Sequence, residues 1–252
     1  MTPMPASPSL PEWISATAPK LGNRAEENED AVVAAQGALR FAVCDGATEG
    51  WESRPWAARL ASAFIANPPE PVDFGAWLAA VRREWVAPVA SGPVPWYAAM
   101  KQEQGSFATL VGIDFRRSRR TTGWAWRAVA VGDSCLFHVR GAVIRAAFPV
   151  DKPAGFGNAP ALVPSAADAR CPEPEWLAGR AEPGDLFLLA TDAVAARVLD
   201  PNGLTPALDA VRGALEMRNP TPLLDWFRTV QATTNDDVSL LAIRLPEAPE
   251  VP

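Results

Sequence analysis

The sequence predicts an α+β layered domain built on antiparallel strands, and three observations carry the prediction. Apolar runs of strand length recur at 31–34, 39–44, 106–115, 122–131, 135–139, 185–191 and 238–245. One block of helical periodicity lies in the middle of the chain and another near its end. Gly, Asp and Asn close the apolar runs, and no internal repeat or domain boundary interrupts them.

Composition narrows the function classes. A chain of 252 residues, 48% of them hydrophobic, suffices for one large domain with a real core. A net charge of −6 offers no basic footprint for nucleic acid. No stretch approaches the ~20 apolar residues of a membrane span, and the Pro- and Ser-rich start lacks the regions of a signal peptide. A cytoplasmic protein is expected. Cys44, Cys135 and Cys171 share no CxxC spacing and read as small buried hydrophobes in a reducing compartment. The single histidine, His138, leaves little material for a zinc site or a Ser-His-Asp triad, and its mid-strand position reads as structural.

Taken in order, residues 1–12 read as a flexible lead-in and 247–252 as a tail, with one domain over 13–246. The runs 31–34 and 39–44 form a hairpin through a turn at Gln36-Gly37. Ser53 is an N-cap candidate and Pro55 suits a first helical turn; Trp56, Leu60 and Phe64 then repeat at helical spacing until Asn67-Pro68-Pro69. A second helix starts near Asp73, with Phe74, Trp77, Val81 and Trp85 on one face, and a shorter one covers 96–104. Arg116, Arg117, Arg119 and Arg120 read as a solvated hairpin tip. Residues 146–180, rich in Pro, Ala and Gly, read as a long irregular insertion of the kind that forms a flap. Strand 185–191 runs into a helix at Asp192, followed by helices 205–217 and 223–230 and the last strand.

Acids recur where apolar strands begin or end: Asp30, Asp45, Asp133, Asp192, and the pair Asp236 and Asp237. Singly, each has a plain explanation as a turn residue or a helix cap. Together they suggest strand ends gathered at one rim, where clustered carboxylates stay ionised only if cations neutralise them. All-oxygen donors point to hard ions, Mg²⁺ or Mn²⁺. Two such ions ~3.5–4 Å apart can hold a bridging water and clamp a phosphoryl group. Arg24 is the candidate for holding phosphate oxygens.

Six motifs in sequence order carry a family resemblance: Asn28-Glu29-Asp30-Ala31, Val43-Cys44-Asp45-Gly46, Gly105-Ser106-Phe107-Ala108-Thr109-Leu110, Val131-Gly132-Asp133-Ser134, Leu189-Ala190-Thr191-Asp192 and Asp236-Asp237-Val238-Ser239-Leu240. Over roughly 22–245 the chain resembles the bacterial branch of the PP2C-type, metal-dependent (PPM) protein phosphatases. The resemblance implies a four-layer αββα sandwich of two antiparallel sheets flanked by helices. It also implies hydrolysis of phosphoserine and phosphothreonine by a water bridging two Mg²⁺ or Mn²⁺ ions. Asp45 would bridge the ions, the Gly46 carbonyl would bind one, and Asp192 and Asp236 the other. Glu29 and Asp30 would complete the centre, Asp133 matches the acid of a third, weaker site, and 146–180 corresponds to the variable flap. The implied partner is a phosphorylated protein, a bacterial Ser/Thr kinase or one of its targets, with neither nucleic acid nor membrane involved.

The departures are specific. The family's Thr-Asp-Gly is Thr191-Asp192-Ala193, and the acid often found four residues after that Asp is Ala196, which counts against a third ion. The eukaryotic Asp-Gly-His reads Asp45-Gly46-Ala47, leaving water to protonate the leaving group. Arg24 lies one residue further from Asn28 than the pattern suggests, and the usual Asp-Asn is Asp236-Asp237. Ala193, Ala196 and the missing histidine motivate one alternative, a non-catalytic relative that binds phosphoproteins or acts as a scaffold; a phosphatase for a small phosphorylated metabolite is a third reading.

Overall fold

The computed structural model describes residues 10–47, 52–85, 105–117, 123–157 and 159–247. Two five-stranded antiparallel sheets lie at its centre. One has the order β1 (Glu12–Ala18), β12 (Val238–Arg244), β11 (Leu186–Ala190), β7 (Cys135–Arg140), β8 (Val143–Phe148). The other runs β10 (Glu175–Ala181), β6 (Trp124–Val131), β5 (Leu110–Arg117), β3 (Arg40–Cys44), β2 (Ala31–Ala35). A short ribbon pairs β4 (Phe107–Ala108) with β9 (Val163–Pro164).

The period-two patterning of the strands sets the layers. Phe41 and Val43 on β3, Ile113 on β5, Phe187 and Leu189 on β11, and Leu241 and Ile243 on β12 share one cluster between the sheets. Fully buried side chains of this size contribute about 2 kcal/mol each. Their sequence neighbours point the other way. Ala42 and Cys44 pack with α1 (Ser53–Ala66) and α2 (Phe74–Arg83). Leu188, Ala190, Leu240 and Ala242 pack with α3 (Asp192–Leu199), α4 (Leu204–Met217) and α5 (Thr221–Gln231). The order helix, sheet, sheet, helix is the expected αββα sandwich.

Several local expectations change. Glu52, not Ser53, takes the N-cap position of α1 with φ 49°, and Ser53 Oγ donates to the Ala47 carbonyl at 2.6 Å. That bond ties the helix to the loop after β3. Trp85 lies beyond the end of α2, its ring 5.3 Å from that of Trp56. Thr109 breaks the expected run 106–115 into β4 and β5.

The sequence left β1 unassigned, and Glu12 belongs to it rather than to a lead-in. The stretch 146–180 is less irregular than expected, because it contains the end of β8, all of β9 and most of β10. Strand β10 has weak strand-forming residues for a packing reason: Gly179 pairs with Trp126, and a Cβ there would lie 2.7 Å from the indole Cζ2. The expected helix at 96–104, Arg119 and Arg120 lie outside the described residues. Among the described residues, no helix is long and apolar enough to cross a membrane.

Candidate active site

The register of the strands brings the acids to one rim. Ala31 pairs with Cys44, Leu110 with Val131, Cys135 with Ala190 and Ala18 with Val238. Residues just beyond those pairs therefore emerge together: Asp30 before β2, Asp45 after β3, Asp133 between β6 and β7, Asp192 after β11, and Asp236 before β12. Asp45, Gly46, Thr109, Asp133, Asp192, Asp236, Asp237 and Lys20 line a cavity of about 330 Å³. Gly157, Pro160 and Leu162, from the segment between β8 and β10, also line it.

Each acid is held by its surroundings. The backbone N–H of Asp45 donates to Thr109 Oγ1 at 2.9 Å, and that hydroxyl lies 2.6 Å from Ser134 Oγ. Gly46 is a close-approach position, since a Cβ there would sit 2.7 Å from the Glu29 carbonyl oxygen. Asp192 Oδ1 accepts the Ala193 N–H at 2.6 Å, with Thr191 as the N-cap of α3. Asp236 Oδ1 accepts the N–H of Asp237 at 2.9 Å and lies 3.1 Å from Lys20 Nζ. Asp237, also in the lining, accepts the backbone N–H groups of Lys20 at 2.8 Å and Glu29 at 2.9 Å. Thr191 Oγ1 donates to Asp30 Oδ2 at 3.4 Å, whereas the buried Asp30 Oδ1 has no hydrogen-bond partner.

The electrostatics follow from this crowding. Burial and the charges of Asp237 and Asp192 push the Asp30 carboxyl up from an ordinary 3.8 to about 7. Burial, then Asp30, Asp192, Asp236 and Asp133, hold Asp45 well above the carboxylate range. Burial and Asp192 raise Asp133 to about 6, and burial with Asp236 raises Asp192. Burial disfavours the Lys20 ammonium, yet its hydrogen bond to Asp236 and the nearby acids keep its pKa above the usual lysine value.

The donor set fits hard divalent ions: it is all oxygen, it is mutually repulsive, and it includes an orphaned buried oxygen on Asp30. The acids share the cavity without closing into a cage. Among the described residues, no group of three or more His, Cys, Asp or Glu side chains is arranged to hold a metal ion. Glu29 and Asp30 stand behind the lining, at the entry to β2. Arg24 is not brought in: it is exposed, its N–H donates to Glu27 Oε2 at 2.7 Å, and it is not among the lining residues. Lys20 supplies the positive charge of the lining instead. Sequence reasoning passed over Lys20, which no motif marks. Thr109 and Asp237 stood in the quoted motifs but were given no role of their own.

No protein-family model matches the chain, and no curated protein sequence matches it. Solved structures do. PppA, "a key regulatory component of T6SS in Pseudomonas aeruginosa", superposes with TM-score 0.61 at 16% identity, over 94% of this chain and 99% of that one. The catalytic domain of the serine/threonine protein phosphatase PstP, in complex with 2 manganese ions, gives 0.60 at 16%, again over 94% and 99%. The PPM Ser-Thr phosphatase MsPP from Mycobacterium smegmatis, in complex with cacodylate, gives 0.59 at 17% over the same shares. The likeness is one of architecture, and on it the chain has the PP2C-type Ser/Thr phosphatase fold.

Proposed function

We propose that this protein is a Mg²⁺- or Mn²⁺-dependent phosphoprotein phosphatase that hydrolyses phosphoserine and phosphothreonine, acting on a bacterial Ser/Thr kinase or its targets. The observation that supports the reading is the gathering of Asp45, Asp133, Asp192 and Asp236 around one cavity at the sheet rim. Asp45 would serve both ions, the Gly46 carbonyl would hold one and Asp192 and Asp236 the other, with Glu29 and Asp30 behind them. Such ions, once held there, would supply the Lewis acidity for activating a water and neutralising phosphoryl charge.

The chain's own residues do the rest. Thr109 and Ser134 fix the start of the Asp45 loop. Gly46 lets that loop lie against the Glu29 backbone. Asp237 locks the two turns that flank the site. No side chain at position 47 can protonate the leaving oxygen, so water does.

Phosphate release from a phosphothreonine peptide in millimolar Mn²⁺ tests the reading; a pure, folded sample that releases none overturns it. A non-catalytic phosphoprotein-binding role draws support from Ala193, Ala196 and the unclosed arrangement of the acids. Calorimetry separates the two, because a scaffold takes up phosphopeptide but no Mn²⁺.

A further inference from the structure

Lys20 follows β1 directly, in a turn whose main chain is fastened to the opposite end of the sequence. Gln231 Nε2 donates to the Pro19 carbonyl at 2.8 Å, the Lys20 N–H donates to Asp237 Oδ1 at 2.8 Å, and the Leu21 N–H donates to Asn235 Oδ1 at 2.7 Å. These bonds hold the Lys20 backbone at the cavity wall, within side-chain reach of the acids. Its ammonium reaches Asp236 Oδ1 at 3.1 Å, and the two side chains are 28% and 38% exposed. A lysine is a compact point charge on a mobile stem, suited to filling a cation's place and to leaving it at small cost.

We propose that Lys20 is a tethered counter-cation that holds Asp236 until a divalent ion displaces it, so that it sets the ion affinity of the cavity. This rests on the reading of the acids as ion ligands. A doubly charged ion at Asp236 and an ammonium 3.1 Å from its Oδ1 repel each other, so the ion binds more tightly when the ammonium moves away. Removing the ammonium takes away that repulsion and makes the cavity more negative, which strengthens ion binding.

The test is calorimetric titration of Mn²⁺ into the wild type, Lys20→Met and Lys20→Arg at fixed pH and ionic strength. Lys20→Met is expected to bind about tenfold tighter, and Lys20→Arg near the wild-type value. Thermal unfolding supplies the second readout. Without metal, Lys20→Met melts below the wild type, and saturating Mn²⁺ closes the gap. Equal or weaker Mn²⁺ binding by Lys20→Met overturns the proposal while leaving the phosphatase reading intact. The same holds if Mn²⁺ affinity is unchanged but the Mn²⁺-loaded variant loses affinity for inorganic phosphate, which would make Lys20 a phosphate contact. Failure of the wild type and the variants alike to bind Mn²⁺ removes both this inference and the metal-dependent reading.

Discussion

Strand β11 carries a carboxylate beyond each end, and the two live in opposite circumstances. Asp185, just before the strand, is 1% exposed yet fully partnered. Arg140 Nε and Nη2 reach it at 2.8 and 2.9 Å, His138 Nε2 lies at 2.7 Å, and the Glu182 N–H donates to it at 2.8 Å. Burial opposes its charge, but these donors outweigh burial and hold its pKa below the ordinary value. His138 is fixed from its other side by stacking on Phe187, 4.5 Å between ring centres. Asp192, at the other end, faces Asp236 and stays raised, as do Asp30, Asp45 and Asp133 around it. One end of the strand is finished by the chain itself. The other, among the described residues, gathers five acids against Lys20, an excess of negative charge of the kind that clusters at functional sites.

The sharpest way to break this contrast is Asp45→Asn. If the rim is catalytic, turnover on a phosphothreonine peptide falls by about 10³-fold or more while the metal-free protein stays folded. Unchanged turnover would remove Asp45 from the chemistry. Next in size, neutralising the two ends should move stability in opposite directions. Asp185→Asn strands Arg140 and His138 and should cost about 3 kcal/mol in urea unfolding. Asp30→Asn, assayed without metal at alkaline pH, should instead stabilise by about 2 kcal/mol, because it removes an unpaired buried charge. The same sign for both variants would erase the distinction.

The pH response sharpens it further. Asp30, raised from 3.8 to about 7, and Asp133, raised to about 6, keep their protons in the folded chain after the unfolded chain has lost them. Their contribution is therefore fully present below 3.8 and is lost as the pH climbs to about 7, so the metal-free protein should weaken across that window. Asp185, whose pKa is depressed, acts at the acid limb, where its contribution is lost as the pH falls below the ordinary carboxylate value. Melting curves with and without Mn²⁺ check this, and saturating metal should flatten the neutral slope but not the acid one. The smallest effect is reserved for Arg24→Ala: an exposed side chain outside the cavity lining should change KM by less than about twofold.

The rim was legible because apolar runs ending in acids mark strand ends, and antiparallel pairing returns those ends to one side. The β2–β3 hairpin, the helical faces of α1, α4 and α5, and β12 follow from local periodicity alone. What escaped was non-local. The β10 segment is a strand through its pairing with β6, where Gly179 leaves room for the Trp126 indole. Lys20 meets Asp237 across 217 positions, and nothing in its own neighbourhood marks it as the counterpart of the acids. Arg24 shows the complementary case: it sits beside the right motif, but it caps a short helical loop at Ala25–Glu27, is exposed and is not among the residues lining the cavity.

The pairing of β1 with β12 joins the first described strand to the last, and the cavity lies at the seam. Its wall is consequently incomplete until these two strands have paired. A chain without β12 and the turn before it has Asp45 and Asp133 but neither Asp236 nor the fastening of the Lys20 turn. The pocket therefore forms only once two strands far apart in the sequence have met.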